Sequence, residues 1–184
     1  RPGSFEYFYR DIDTLDINAK ILAFDQAYFE FFDRNARLLG TPALRKEVKE
    51  FELTHDTLTE GFLSDYIHFS IAEMKLTAGF PKKELYETYL ADELLKFNNP
   101  SYYSFFNAFY GNYFDRYDVT FGGKSISNRL ATNLTFSDLD SLFLKDDFLQ
   151  REDIRQWVML KSIKESIYLK NYSGEKLAKI LETL

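Results

Sequence analysis

The sequence predicts an all-α protein: a single-domain antiparallel helical bundle of seven to eight helices over residues 1–184. Three observations carry that prediction. Gly and Pro are scarce, 8 and 4 in 184 residues, so turns are few and elements are long. Hydrophobic residues make up 45% of the chain, enough to build the core of one domain of this length. Helix-start signals recur along the chain, each followed by an apolar pattern of helical period.

The elements follow in order. A first helix falls within Tyr7–Leu39, carrying AKILAFDQAYFEFFDRNARLL. Ahead of it, DIDTLD offers Asp11, Asp13 and Asp16 in the manner of a calcium loop. Such a loop needs an oxygen ligand at its fifth position, Gly at its sixth and Glu at its twelfth, where this chain has Leu15, Asp16 and Leu22. The acids read as helix-start residues instead. Thr41-Pro42 opens a helix over Pro42–His55, with a side-chain acceptor at the cap and a pre-set φ at the first helical position. Thr57 and Glu60 form a capping box before Leu58–Ala78. Gly79-Phe80-Pro81 stops that helix and starts Pro81–Leu95, and Asn99-Pro100 repeats the cap-and-proline device before Pro100–Tyr117. Ser125–Ala131, Phe136–Leu144 (behind the box Thr135/Asp138), Arg151–Leu169 and Gly174–Leu184 complete the series. VTFGGKSI reads as a loop, because a lone Gly-Gly hairpin would be marginal. Short connections imply antiparallel neighbours.

The stretch NNPSYYSFFNAFYGNYFDRY is the most distinctive. At about 100° per residue, Tyr102, Tyr103, Phe105, Phe106, Phe109, Tyr110, Tyr113, Phe114 and Tyr117 fall in one arc, with Ser104, Asn107, Ala108, Gly111 and Asp115 opposite. That partition marks a helix facing a core. Exposing Phe105, Phe106 and Phe109 would forfeit about 2 kcal/mol each. Tyr103 and Tyr110, at the edges of the arc, are the rings placed to reach a groove, since their hydroxyls need partners. In Arg151–Leu169 the apolar residues surround the axis, which predicts a central helix with Trp157 in a structural role.

Chemistry is thinly represented. The balance of 23 basic and 29 acidic residues gives a net charge of −6, and the cations are scattered among acids, against the basic patch that nucleic acid requires. Cysteine is absent, which removes disulfides, thiolate metal sites and thiol nucleophiles. FGGKS resembles the end of a phosphate-binding loop, but Asp118 stands where that motif has its first Gly. His55 and His68 are the only histidines, and neither has the spacing of a metal site or lies near a nucleophile elbow. The uncharged run from Phe97 to Phe114 contains too many amides and hydroxyls for a membrane span. No catalytic, cofactor-binding or metal-binding residue is assigned and no cofactor is expected. The candidate ligand or partner surface is Tyr103, Tyr110 and His68.

On NNPSYYSFFNAFYGNYF, on GFLSDYIHFSIAEMKL and on FLQREDIRQWVMLKSIKESIYLKNYSGEKLAKILETL, the chain resembles the helical N-terminal region of exported Bacteroidetes-type thioredoxin-like proteins. In that family the redox work belongs to a C-x-x-C motif on a later thioredoxin fold, which this chain lacks. The resemblance implies a non-catalytic accessory domain of a periplasmic or cell-envelope protein. Its implied partner is a thioredoxin-like domain of the same polypeptide or a protein substrate. The start at Arg1 rather than Met fits a processed or truncated piece. The alternative is a carbohydrate- or peptide-binding module using surface tyrosines. A hydrolase built on His68 or a carboxylate pair is a third reading.

Overall fold

The computed structural model describes residues 16–55, 61–120 and 135–168, with Ile126, Arg129, Glu175, Ala178 and Glu182 singly. Among the described residues there is no strand, and the all-α class stands. The helices whose bounds fall within the described residues are α1 (Ile17–Asn35), α2 (Ala43–His55), α3 (Phe62–Thr77), α4 (Lys82–Tyr89), α5 (Pro100–Phe109), α6 (Tyr113–Thr120), α7 (Phe136–Phe143) and α8 (Glu152–Tyr168). Short 3-10 turns follow α1 at Ala36–Leu38 and precede α8 at Asp147–Leu149. The chain falls into two compact units, Arg1–Pro81 with Lys96–Phe105, and Lys82–Leu95 with Phe106–Leu184.

In the first unit, α1 and α2 both pack on α3. Asp16 caps α1 by accepting from the Asn18 N–H at 2.8 Å. The contact between α1 and α2 is aromatic: Phe51 takes Phe24 and Phe31 edge-on, and His55 stacks on Phe51 at 4.0 Å. Leu44 and Val48 are fully buried beside them. α3 ends at Gly79, whose φ of 73° lies in the left-handed region that glycine tolerates. Arg45 of α2 donates to the carbonyls of Ala78 and Gly79 there. Asn99 is buried and caps α5, its Oδ1 accepting from the N–H groups of Ser101 and Tyr102 while its Nδ2 donates to Phe62 O at 3.3 Å. Phe69 meets Tyr102 edge-on, and the hydroxyls of Ser70 and Ser101 pair at 2.8 Å.

In the second unit, α8 packs on α6, α7 and the 3-10 turn. Thr135 and Asp138 form the predicted capping box of α7, N–H to side chain in both directions. Arg155 on α8 is buried. It ion-pairs with Asp140 of α7 at 2.6 Å and donates to Leu149 O and Gln150 O. A buried guanidinium is tolerable only when its donors are satisfied in this way.

Several expectations are corrected. The helix predicted over Pro100–Tyr117 is two helices: Asn112 has φ of 50°, and Gly111–Asn112 separates α5 from α6. The inward partition nevertheless holds for eight of the nine rings, with Tyr103 alone exposed. The helix predicted over Pro81–Leu95 ends at Tyr89, because Arg151 draws the carbonyls of Leu90, Ala91 and Glu93 onto its guanidinium. Thr41 does not give the forward cap expected of it, since its hydroxyl donates backward to Leu38 O. α8 is not buried all round: Trp157, Leu160 and Tyr168 are exposed, while Arg155, Ser162 and Ser166 are buried. The Thr57/Glu60 box, Asp11, Asp13 and FGGKS lie outside the described residues, as do most of Ser125–Ala131 and Gly174–Leu184.

Truncating Phe105, which is fully buried, is expected to cost about 3–5 kcal/mol in urea unfolding. Tyr103→Ala, made on an exposed ring, is expected to stay within about 0.5 kcal/mol of the parent. Equal costs would mean that the ridge is not the core.

Candidate functional site

The site is built where the aromatic ridge meets the stretch of chain between α7 and α8. The contact covers residues 142–149, which run from the end of α7 through a bend into the 3-10 turn, and three tyrosines donate to it. Tyr110 donates to Phe148 O at 2.9 Å, Tyr117 donates to Leu142 O at 3.1 Å, and Tyr113 donates to the Asp146 carboxylate. Tyr113 and Tyr117 are four apart on α6 and share one face of it, while Tyr110 precedes the break at Gly111–Asn112. Asp146 is itself buried, and its second oxygen accepts the Phe148 N–H at 2.9 Å, capping the 3-10 turn. Burial pushes the Tyr113 hydroxyl far above its ordinary range, and the bond to Asp146 adds to that. Tyr117 is raised for the same first reason, with the Asp146 charge second.

Beside this anchor lies a cavity of about 470 Å³, within the size range of small-molecule sites. Tyr113, Tyr117 and Phe148 give it ring surfaces. Lys82, Arg116 and Lys145 give it three cations, against Asp146 and Asp147. Lys82 donates to Phe109 O at 3.1 Å and lies 4.8 Å from the Phe109 ring centroid. Arg116 donates to Gly111 O, and both cations therefore gather at the C-terminal end of α5, where the helix dipole favours them. Burial first and the nearby Arg116 charge second lower the Lys82 amine from 10.5 to about 8, with Asp146 opposing the shift.

The residues singled out from the sequence are placed differently. Tyr110 is fully buried with its hydroxyl on backbone, so the expectation that it borders a groove is corrected: the ring belongs to the anchor. Tyr103 is exposed and meets Phe97 edge-on. His68 is half-buried against the edge of Phe69. Tyr103 and His68 belong to the first unit and Tyr110 to the second. None of them lines the cavity. Sequence reasoning missed Lys82, Arg116 and Lys145, which are scattered along the chain and share no local pattern. Among the described residues no group of three His, Asp or Glu could hold a metal ion, and no helix is long and apolar enough to cross a membrane. Comparison with family models, curated proteins and solved structures finds no match to this chain.

Two predictions follow from the anchor and its neighbour. Tyr113→Phe keeps the ring but strands a buried carboxylate oxygen, and is expected to cost about 1–3 kcal/mol in urea unfolding. A cost near zero would show that the hydroxyl holds nothing. For Lys82 the folded value lies below the unfolded one, so between pH 8 and 10.5 the unfolded chain holds more proton. This group's contribution to stability therefore rises with pH across that window. Tyr28 and Tyr66, raised to about 12, act in the opposite sense once unfolded tyrosine ionises above 10. Measured from about pH 7 to about pH 9, Lys82→Met is expected to flatten the rise of stability with pH relative to the parent. Parallel curves would exclude a shifted amine.

Proposed function

We propose that the chain is a non-catalytic helical interaction domain that positions a thioredoxin-like domain or gathers its protein substrate. The observation that carries this reading is the inverted character of α8. Arg155, Ser162 and Ser166 face inward, while Trp157, Leu160 and Tyr168 are exposed, Trp157 by 46% and Tyr168 by 76%. On a helical wheel those three fall in one stripe, within about 80° of one another, with the exposed Lys164 on the same face, its amine 5.8 Å from the Tyr168 ring centroid. Such a stripe marks a surface for another protein. Two acids of this unit have structural work: Asp146 holds Tyr113 and a backbone N–H, and Asp140 holds Arg155. The thioredoxin-like partner and the export rest on the resemblance of the aromatic and apolar segments alone. Of the tyrosines expected on the surface, Tyr103 is exposed and Tyr110 is not, which weakens the row of rings that a sugar-stacking module needs.

Trp157 is the single tryptophan, so its emission reports directly on the stripe. Titration with a thioredoxin-like domain is expected to blue-shift that emission. Leu160→Asp is expected to weaken the association about tenfold while leaving the far-UV spectrum unchanged. The chain alone is expected to show no disulfide-exchange or esterase turnover above buffer. An unmoved emission spectrum at saturating partner, or robust turnover by the chain alone, overturns the proposal.

A further inference from the structure

The cavity between α4, α6 and the 142–149 stretch has a composition that defines a ligand class. Its lining holds three cations and two carboxylates, which leaves one excess positive charge. Asp146 already accepts the Tyr113 hydroxyl on one oxygen and the Phe148 N–H on the other. Among the described residues neither Lys82 nor Lys145 belongs to an ion pair. The rings of Tyr113, Tyr117 and Phe148 offer apolar surface in the same space. One surplus charge matches a monoanion better than a phosphate dianion, and the ring surfaces match an apolar body attached to it.

We propose that this cavity binds an organic monocarboxylate, its apolar body against Tyr113, Tyr117 and Phe148 and its carboxylate held by Lys82, Arg116 and Lys145. The chemistry is shared by a free aryl or alkyl acid and by the C-terminal carboxylate of a peptide ending in an apolar residue. The site is separate from the α8 stripe and stands whether or not that stripe docks a partner. A bound carboxylate offsets the crowding of Lys82 by Arg116, so proton uptake by Lys82 and binding reinforce each other. The charged and titratable groups facing Lys82 across the cavity are Arg116, Tyr113, Tyr117, Lys145, Asp146 and Asp147, and the Tyr117 hydroxyl is pushed up by burial. Tyr113 stays protonated throughout the range of the test because its hydroxyl is pushed far up.

Calorimetric titration of the full chain with phenylacetate, and with the tripeptide Ac-Ala-Ala-Phe bearing a free carboxylate, tests this. Saturable binding is expected for at least one of them, with phenylacetamide or the tripeptide amide weaker by about tenfold or more. Tighter binding of phenylacetate assigns the site to a free acid, and tighter binding of the tripeptide assigns it to a peptide terminus. Lys145→Gln, on an exposed side chain, is expected to weaken the better carboxylate about tenfold. Raising the pH from about 7 to about 9 is expected to weaken it severalfold in the parent and not in Lys82→Met. The proposal is overturned by the absence of saturable binding of either carboxylate, by equal affinity for acid and amide, or by inorganic phosphate binding more tightly than both. If Lys82→Met does not fold, Lys145→Gln and the amide comparison decide alone. Binding that Lys145→Gln leaves unchanged would then overturn it.

Discussion

Three tyrosine hydroxyls tie the turn region between α7 and α8 to the aromatic ridge, and the architecture of the second unit depends on that tie. Without them Phe148 O and the buried Asp146 carboxylate would each lose a donor, at about 1–3 kcal/mol apiece. Tyr110, Tyr113 and Tyr117 meet Phe148 O, Asp146 and Leu142 O in that order. A phenylalanine would fill nearly the same volume at each position and would answer none of these groups. Phe105, Phe106 and Phe109 are buried with no polar tip. Tyr110, Tyr113 and Tyr117 present a hydroxyl where Phe148 O, Asp146 and Leu142 O lie within reach.

Helix ends obey the same constraint by a different device, because a helix leaves its last carbonyls without partners. Within the first unit, Arg45 of α2 reaches Ala78 O and Gly79 O at the end of α3. Within the second, Arg151 reaches the carbonyls after α4, and Arg155 takes those of Leu149 and Gln150. A guanidinium can serve several acceptors at once. Each of these arginines thus ties the end of one element to another, and at the end of α3 Arg45 does so beside the left-handed Gly79.

This division explains what could be read in advance. Signals local in sequence were legible: Asp16 before α1, Asn99-Pro100 before α5, Gly79 after α3, and the Thr135/Asp138 box before α7. The inward face of the ridge was legible as well, because it needs only the angle per residue. The early end of α4 was not, since its cause is Arg151, far along the chain. The break at Gly111–Asn112 had a local signal in two poor helix formers, but the apolar pattern runs through it without changing face. The cavity was illegible because its three cations come from three separate elements. Nothing in their spacing distinguishes them from the other lysines and arginines that cover the surface.

α8 shows how the interior can reverse the usual reading of a helix. Once Arg155 is committed to Asp140 and to two carbonyls, its place is inside regardless of its hydropathy. Turning the helix to expose it would strand Asp140 and the end of the 3-10 turn together. The helix is therefore locked by its polar contacts, and Ile154, Val158, Met159 and Ile163 share the buried face with them. Trp157, Leu160 and Tyr168 are then carried outward by the helical repeat, however much apolar area this leaves in water. A hydropathy pattern records how many apolar residues a helix has. It does not record that one satisfied guanidinium can determine which of them are turned away from the core.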